Sequence, residues 1–194
     1  MDSDFDQVNY SGVPCYFPTS IAKKFALVFD AYVQRNQECE ISHIGFHSLS
    51  GYAFIELADG TFIGTKDGKH LSYPRKQLDE FEKIAGSSDV DLYQIPDVLP
   101  IILARKLAAI FKAYAENELE SFLEQIGYNI RSGYAFICLG NRINICSKDG
   151  EQVVYLTTDL RNEEEEDGEL EEFFFDNYHD ALKKNEELNV HLLY

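Results

Sequence analysis

The stretch Ser50-Gly51-Tyr52-Ala53-Phe54-Ile55 recurs 82 positions later as Ser132-Gly133-Tyr134-Ala135-Phe136-Ile137. The match extends without a gap over residues 21–68 and 103–150, where 20 of the 48 aligned positions are identical. Internal self-similarity constrains architecture, because each copy has to fold as a comparable unit. Two copies are too few for a solenoid, so the sequence predicts a tandem duplication that folds as a pseudo-symmetric pair.

Each copy is predicted to open with an amphipathic helix. Apolar residues recur at three- and four-residue spacing after Pro18 in the first copy and after Pro100 in the second, which is the helical period. In the second copy the same spacing continues over residues 119–126. Gly127 and its counterpart Gly45 follow where a left-handed C-cap would fall, so we expect the helices to extend to these glycines.

An antiparallel β-meander is predicted to follow each helix. Ser50-Gly51 marks its first turn and Asp67-Gly68 its last, and both pairs recur in the second copy. A three-residue middle loop, Ala58-Asp59-Gly60, would pair Ile55 with Ile63, whereas a two-residue loop would scatter the aliphatic side chains over both faces. The aliphatic face is expected to pack on the helix. The residues predicted to be buried there include Ile55, Ile63, Ile137 and Ile145.

The opposite face of each meander carries aromatic side chains, with Tyr52, Phe54 and Phe62 in the first copy and Tyr134 and Phe136 in the second. Some RNA-binding modules stack bases on aromatic residues presented by a sheet. The basic surroundings that such a module needs are missing from this sequence. We expect the two copies, or the additional helices, to bury these faces. The alternative is that the aromatic residues grip a protein partner.

These patterns predict an α+β protein with four parts. Residues 17–86 form repeat unit 1, with a helix, a β-meander and a short amphipathic helix between Pro74 and Gly86. Residues 87–98 connect it to repeat unit 2, a helix and a β-meander over residues 99–160. Residues 161–194 form an acidic and aromatic C-terminal segment that is predicted to be helical.

The net charge is strongly negative, at −17 from 34 acidic and 17 basic residues. Nucleic-acid binding depends on Lys and Arg side chains that replace counterions along the phosphates, so direct DNA or RNA binding is not expected. Docking on an anionic membrane is disfavoured for the same reason. The charge indicates either a surface that only keeps the protein in solution or one that recognises a basic partner.

The cysteines and the N-terminus indicate a cytoplasmic protein. Cys15, Cys39, Cys138 and Cys146 stand at spacings unlike a zinc or redox motif, which favours free thiols in a reducing compartment. The sequence starts with acidic residues and lacks the apolar segment of a signal peptide. No apolar run is long enough to span a bilayer.

The sequence predicts no catalytic residue, no metal site and no cofactor. It contains no glycine-rich phosphate loop, nucleophile elbow or zincin helix. Cys39, His43 and His47 have the four-residue spacing of metal ligands on a helix, but Gly45 is expected to end the helix between the two histidines. The repeated Lys66-Asp67-Gly68 is explained by a hairpin turn, since Asp-Gly tolerates positive φ angles.

The strongest candidate for a binding site is the acidic C-terminal stretch. Residues 160–194 contain 12 acidic and 3 basic residues, and a helix is predicted from Glu171 to Leu182. Aromatic residues among carboxylates suit a binding hot spot inside an electrostatic rim, and fixed carboxylates can imitate a phosphate backbone. A solvated tail is the alternative. The residues predicted to bind the partner are Glu163, Glu164, Glu165, Glu166, Asp167, Glu171, Glu172, Phe174, Asp176 and Tyr178.

The function expected from the sequence is that of a non-enzymatic, acidic, cytosolic binding protein that captures a basic-surfaced protein as a stoichiometric inhibitor. In charge and size the chain is comparable to immunity proteins that neutralise toxins and to nucleic-acid mimics that inhibit nucleases or nucleic-acid-binding complexes. This is an analogy without a shared motif. The alternative is an enzyme or a small-ligand sensor whose site lies in the groove between the two repeats.

Overall fold

The computed structural model describes residues 9–11, 16–47, 50–72, 91–159 and 170–189. Over this part of the chain the protein is a mixed α+β fold with three helices and two mainly antiparallel sheets. No helix in that part is both long enough and apolar enough to cross a bilayer. The short helix predicted between Pro74 and Gly86 and the acidic run from Glu163 to Asp167 lie outside it.

The secondary-structure elements follow the chain as β1 (Asn9–Ser11), β2 (Tyr16–Phe17), α1 (Thr19–Gln34), β3 (Cys39–His47), β4 (Tyr52–Leu57), β5 (Phe62–Thr65), β6 (Asp91–Tyr93), β7 (Val98–Leu99), α2 (Ile101–Glu116), β8 (Ser121–Tyr128), β9 (Ala135–Leu139), β10 (Asn144–Ser147), β11 (Val154–Asp159), β12 (Glu171–Phe175) and α3 (Tyr178–Asn189).

The strands form a five-stranded and a seven-stranded sheet. The smaller sheet has the order β1-β3-β4-β5, with β7 also paired to β3. The larger sheet has the order β12-β11-β10-β9-β8-β2, with β6 also paired to β8. The pairings of β1 with β3 and of β6 with β8 are parallel, and the others are antiparallel.

The two halves exchange short strands. β2 precedes α1 but pairs with β8 of the second half, opposing Phe17 to Ser121. β7 precedes α2 but pairs with β3 of the first half, opposing Leu99 to Cys39. These two pairings are related by the 82-residue offset. The boundary between the predicted units 17–86 and 99–160 therefore divides the sequence but not the hydrogen-bonded sheets.

Hydrogen bonds of two buried tyrosine hydroxyls hold the exchanged strands in place. Tyr114 donates a hydrogen bond to the carbonyl of Phe17 (2.6 Å) and accepts one from the backbone N–H of Ser121 (2.9 Å). Tyr32, 82 residues earlier, donates to the carbonyl of Leu99 (2.7 Å) and accepts from the first N–H of β3 (2.8 Å). Both tyrosines are fully buried. Each hydroxyl therefore satisfies two backbone groups, a carbonyl in a buried hydrogen bond and an N–H in a partly buried one.

The core lies where the two helices meet. α1 packs on β4 and β5, α2 packs on β9 and β10, and the two helices pack on each other. Phe111 of α2 stacks on Phe29 of α1, with ring centroids 5.8 Å apart, and also contacts Phe25 at 5.5 Å. Phe17 of the exchanged strand lies 5.7 Å from Phe111. A single aromatic cluster thus joins both halves, because its members come from each of them.

The predicted meander is confirmed. Ile55 pairs with Ile63, and the N–H of Leu57 donates to the carbonyl of Thr61 at 2.8 Å, which closes the three-residue loop. Gly60 in this loop has a φ of 83°. The four isoleucines predicted to lie on the helix side are buried: Ile55, Ile63, Ile137 and Ile145.

The prediction that the second helix continues through residues 119–126 is wrong. α2 ends at Glu116, and Ser121–Tyr128 is the strand β8. The register of β8 against β9 shifts between Leu123 and Gln125, as in a β-bulge. Because the extra residue reverses the side-chain alternation, Leu123 and Ile126 both point into the core at a three-residue spacing. This spacing imitates the period of a helix.

Gly45 and Gly127 are not helix C-caps, since they lie inside β3 and β8. Gly127 pairs with Phe136 on the neighbouring strand. A Cβ atom at Gly127 would stand 2.5 Å from the ring of Phe136. The glycine is therefore explained by the aromatic ring that lies over it. Gly45 has the equivalent cross-strand partner, Phe54.

The helix predicted from Glu171 is also wrong in its first part. Glu171–Phe175 is the strand β12, paired with β11, and α3 starts only at Tyr178. The side chains of β12 alternate between the two faces of the sheet. Phe173 lies on the side of α3, where the Nζ of Lys184 stands 4.7 Å from its ring centroid. Phe174 is on the opposite face.

Candidate protein-binding face

The Cys39, His43 and His47 series does not form a metal site. The three residues lie along β3 and not on a helix. A strand rises about 3.3 Å per residue, so side chains four residues apart are separated by roughly 13 Å. A shared metal would need ligand bonds of about 2 Å. Among the described residues there is no group of three or more His, Cys, Asp or Glu side chains that could hold a metal ion.

Ser42, His43 and Glu56 have the composition of a catalytic triad but not its geometry. The Oγ of Ser42 and the Oε2 of Glu56 both lie 3.0 Å from the same ring nitrogen, Nδ1 of His43. In a triad the carboxylate holds one imidazole nitrogen while the other removes the proton of the nucleophile. A hydroxyl and a carboxylate that share one nitrogen cannot divide these roles. The cluster is a polar contact at the edge of the strand pair β3–β4.

The repeated Lys-Asp-Gly motif builds a turn in each half. The Oδ1 of Asp149 accepts the N–H groups of Glu151 (2.9 Å) and Gln152 (2.8 Å), and Gly150 has a φ of 81°. These backbone hydrogen bonds lower the pKa of Asp149. Asp67 makes the same pair of backbone contacts in the first half, at 2.8 Å each. The predicted turn is thus present in both halves, and the glycine of each motif has a positive φ angle.

We expect the contribution of this turn to the stability of the fold to depend on pH. The lowered pKa of Asp149 means that its contribution is present above the unfolded value near 4 and is lost as the pH falls through the lower folded value. We expect Asp149→Ala to lower the thermal unfolding midpoint at pH 7 and to have a smaller effect at pH 2. Circular dichroism melts at both pH values measure this, with the exposed Glu118→Ala as the control. Equal losses at both pH values would contradict it.

A pocket of about 400 Å³ lies in the groove between the two halves. Asp30 enters it from α1, and Arg105 and Lys112 from α2. Burial raises the pKa of Asp30, and Lys112 partly opposes this rise. Among the described residues that line the pocket there is no nucleophile with an adjacent base. Its charged side chains are Asp30, Arg105, Lys112, Glu116, Glu151 and Asp176.

A broader candidate site is the face of the seven-stranded sheet that points away from α2 and α3. Ala135, Ile137 and Leu139 are fully buried on the helix side of β9, so the alternate residues Phe136 and Cys138 point the other way. Cross-strand pairing extends this outer face across the sheet. The residues brought onto it by pairing are Asn144, Cys146, Val154, Leu156, Glu172 and Phe174.

Three aromatic pairs lie on the outer face. Tyr16 and Phe122 meet edge to face with ring centroids 5.6 Å apart. Tyr93 lies 6.4 Å from Phe136, and Tyr134 lies 6.2 Å from Phe174. Four of these rings are about half exposed: Tyr16 at 43%, Tyr93 at 43%, Phe122 at 57% and Phe174 at 50%. We call the six residues of these three pairs the aromatic face.

Carboxylates and protonated thiols accompany the aromatic face. Glu120 accepts a hydrogen bond from the Tyr16 hydroxyl at 3.1 Å, and Glu124 lies 3.8 Å from the Sγ of Cys138. Burial raises the pKa of Cys138 to about 11, with a further contribution from Glu124, and burial raises the pKa of Cys146 to about 12. Both thiols therefore stay protonated at neutral pH and are poor nucleophiles and metal ligands.

Equivalent aromatic residues of the two halves differ in their exposure to solvent. Tyr52 and Phe54 occupy the positions equivalent to Tyr134 and Phe136, yet they are only 6% and 4% exposed. Tyr134 and Phe136 remain partly exposed. The expected burial of the aromatic faces therefore holds for Tyr52 and Phe54, whereas Phe62 in the first half is also only partly buried and the expectation is wrong for the second half. Among the described residues, the aromatic rings that are about half exposed all lie on the larger sheet.

The described residues among those predicted to bind a partner lie in four different environments. Glu172 and Phe174 join the outer face, Glu171 lies on the other side of β12, and Asp176 borders the groove pocket. Tyr178 turns inward, where its ring packs on the core and its hydroxyl accepts a hydrogen bond from Asn141 at 3.0 Å. The acidic residues Glu163, Glu164, Glu165, Glu166 and Asp167 lie outside the described residues.

Sequence reasoning missed Tyr16, Tyr93 and Phe122 as members of the aromatic face. Phe122 falls in the range 119–126 that the sequence predicts as helix, but it lies in the strand β8, just before the bulge, and points outward. The signal that could have identified it is alternation from Leu123, which is buried. Tyr16 and Tyr93 belong to strands of two and three residues, which are too short to show a periodic pattern.

Comparison with known proteins gives no family assignment. No protein-family model matches the chain, and neither the curated proteins nor the solved structures contain a significant match.

Proposed function

We propose that this protein is a non-enzymatic, acidic binding protein that captures a basic-surfaced protein and inhibits it stoichiometrically. The observation that carries the proposal is the half-exposed aromatic face on a chain with a net charge of −17. Aromatic rings are the residues most enriched among binding hot spots. Surrounding carboxylates steer a basic partner and reject acidic ones.

The arrangement of the aromatic face supports a role in binding rather than in folding alone. Its rings pair with one another across strands, so they are held in place before a partner arrives. A pre-organised aromatic ring loses little conformational entropy on binding. Glu120, Glu124 and Glu172 are exposed around the rings, while Lys148 covers one side of Tyr134 at 5.7 Å from the ring centroid. The proposal includes a cytosolic setting, where the thiols stay reduced.

The proposal predicts separate effects on the association and dissociation rates. The partner, isolated with the protein as bait from its native host and identified by mass spectrometry, is measured by surface plasmon resonance at several salt concentrations. Association should slow as the salt concentration rises and the Debye length falls below about 10 Å. Replacing Glu163 to Glu166 with glutamine should slow association. Phe174→Ala should speed dissociation, with a loss of about 2 kcal/mol or more.

Ile102→Ala is the matched control for Phe174→Ala, because Ile102 is also about half exposed, at 46%, but lies at the start of α2. It should leave binding unchanged. Thermal unfolding of each variant separates lost contacts from lost structure. Tyr178 is not a suitable anchor variant, since its truncation disturbs the core. Binding that is indifferent to salt, to the glutamine changes and to Phe174→Ala would refute the proposal.

A small-ligand sensor or an enzyme with its site in the groove is the second candidate function. The observation in its favour is the pocket of about 400 Å³ to which both halves contribute charged side chains. Its charges would select a small ligand that carries both signs. If activity or binding is lost in Arg105→Ala while Phe174→Ala retains it, this second candidate replaces the first.

We also propose that the two halves arose by tandem duplication. The 82-residue offset relates the exchanged strand pairs β2–β8 and β7–β3, and it relates the hydroxyl contacts of Tyr32 and Tyr114. It also relates the hydrogen bond from Lys24 to the carbonyl of Gly51 (2.8 Å) with that from Lys106 to Gly133 (2.7 Å). Functional divergence of the halves would then explain why Phe136 stays partly exposed while the equivalent Phe54 is buried.

A further inference from the structure

We propose that the basic partner of this protein binds by adding an extended strand to the β12 edge of the seven-stranded sheet. This inference rests on the proposed function and specifies how the partner is recognised. Among the described residues, β12 is the terminal strand in the order of the sheet, and β11 is its neighbour. An edge strand offers alternate backbone N–H and C=O groups to a further strand.

The exposure of β12 fits a strand that receives a partner. Leu170, just before the strand, is 44% exposed and Phe174 is 50% exposed. Glu171 and Glu172 are exposed between them. Edge strands of proteins are commonly protected by charged residues, prolines or bulges. Residues 171–175 contain no proline and their pairing with β11 is continuous, and their two charged residues are acidic, so they do not disfavour a basic strand.

The side chains of β12 define the chemistry of the incoming strand. Glu171 and Glu172 are consecutive, so an incoming strand with two basic residues opposite them is favoured, since opposite charges across strands are stabilising. Three apolar residues are favoured opposite Phe173, Phe174 and Phe175, because aromatic side chains pair well with β-branched and aromatic ones. Lys184 already stands over Phe173, which disfavours a further basic residue there.

An antiparallel orientation matches the rest of this sheet edge, where β12, β11, β10 and β9 are all antiparallel, and antiparallel pairs are slightly more stable per residue. Read from its N-terminus, the incoming strand then presents three apolar residues followed by two basic ones, as in Val-Tyr-Val-Arg-Lys. A second copy of this chain is a poorer occupant, because each copy carries a charge of −17 and its own β12 is acidic.

The first experiment uses a fluorescein-labelled peptide containing Val-Tyr-Val-Arg-Lys, with the full-length protein, in fluorescence anisotropy. Two N-methylated versions carry the methyl groups on alternate residues, in the two possible phases. In an added strand only one phase directs its N–H groups to β12. One version should therefore lose binding at least tenfold while the other binds as the parent. A scrambled peptide of the same composition controls for charge.

The second experiment uses protein variants of equal charge change. Glu172→Lys places a basic residue on β12 and should weaken the peptide at least tenfold. Glu118→Lys makes the same change at an exposed position in the turn after α2 and should alter binding less than twofold. NMR hydrogen exchange with the bound peptide should slow for backbone amides of β12 and remain unchanged in the turn after α2.

Equal binding of both N-methylated peptides, binding of the scrambled peptide, or no binding at all would overturn strand addition. The proposed function would survive each of these results if the isolated partner still binds in a salt-dependent manner that Phe174→Ala weakens. If neither the peptide nor a basic partner binds with salt dependence, both proposals fail. Self-association through β12, seen by sedimentation velocity and abolished by Glu172→Lys, would likewise replace the basic partner with a second copy.

Discussion

Phe111→Ala is expected to lower the free energy of unfolding by about 3–5 kcal/mol, the range for truncating a buried phenylalanine. Phe111 is 1% exposed and its ring contacts Phe17, Phe25 and Phe29. Truncation leaves a cavity at the contact between α1 and α2. The thermal midpoint should fall by roughly 6–20 °C for a chain of this length. Because the cluster joins both halves, unfolding should remain a single transition.

Urea unfolding followed by circular dichroism measures the loss, with Phe122→Ala as the matched control. Phe122 is 57% exposed on the aromatic face, so the same chemical change there should cost less than about 1 kcal/mol. An unchanged urea dependence would show that the surface exposed on unfolding is the same in both variants. If Phe111→Ala cost no more than Phe122→Ala, or if the halves unfolded in two steps, the shared core would be contradicted.

Tyr114→Phe is expected to cost about 2–4 kcal/mol, because it leaves a buried carbonyl and a partly buried N–H without a hydrogen-bond partner. The lost hydroxyl bonds the carbonyl of Phe17 at 2.6 Å and the N–H of Ser121 at 2.9 Å. The ring and its packing are retained, so the effect isolates the hydrogen bonds. Tyr32→Phe removes the equivalent contacts to Leu99 and should cost a similar amount.

Tyr93→Phe controls for the change, since Tyr93 is 43% exposed and should tolerate it within about 0.5 kcal/mol. Alkaline titration gives a second readout. Burial raises the pKa of Tyr114 to about 12, so its contribution is present below the unfolded value near 10 and is lost as the pH rises through 12. The loss caused by Tyr114→Phe should shrink over this interval. A neutral effect at pH 7 would contradict the role of the hydroxyl.

The meander was predictable because two local signals agree. Gly51, Gly60 and Gly68 mark the turns, and all three have the positive φ angles that glycine allows. Between them the aliphatic residues alternate, and a one-residue slip would move them all to the solvent face. The loop length therefore follows from the requirement that the aliphatic side chains of neighbouring strands lie on the same face. The same reasoning gave the buried isoleucines of both halves.

The strands β8 and β12 were mistaken for helix for different reasons. In β8 the bulge after Leu123 changes the spacing of inward residues from two to three, which a sequence pattern cannot distinguish from a helical turn. In β12 the consecutive residues Phe173, Phe174 and Phe175 show no alternation at all. Their strand conformation comes from hydrogen bonds to β11, and α3 covers one of the two faces.

The candidate site was predictable only in part. Glu172 and Phe174 were selected from their acidic and aromatic neighbourhood, and they lie on the outer face. Tyr178 satisfied the same criterion but packs inward on Tyr155, with ring centroids 6.0 Å apart. Composition identifies a segment, whereas the face on which each side chain lies depends on pairing and on the packing of α3.

By itself the sequence determined the repeated unit, its turns and the aliphatic face that each meander turns to its helix, because these depend on neighbours only a few residues away. The tertiary structure decided the exchange of β2 and β7, since a two-residue strand carries no pattern and gains its hydrogen bonds from a strand distant in the chain. It also decided that Phe54 is buried while the equivalent Phe136 stays partly exposed. Burial of identical residues depends on which other segments pack against them, and no local spacing encodes that.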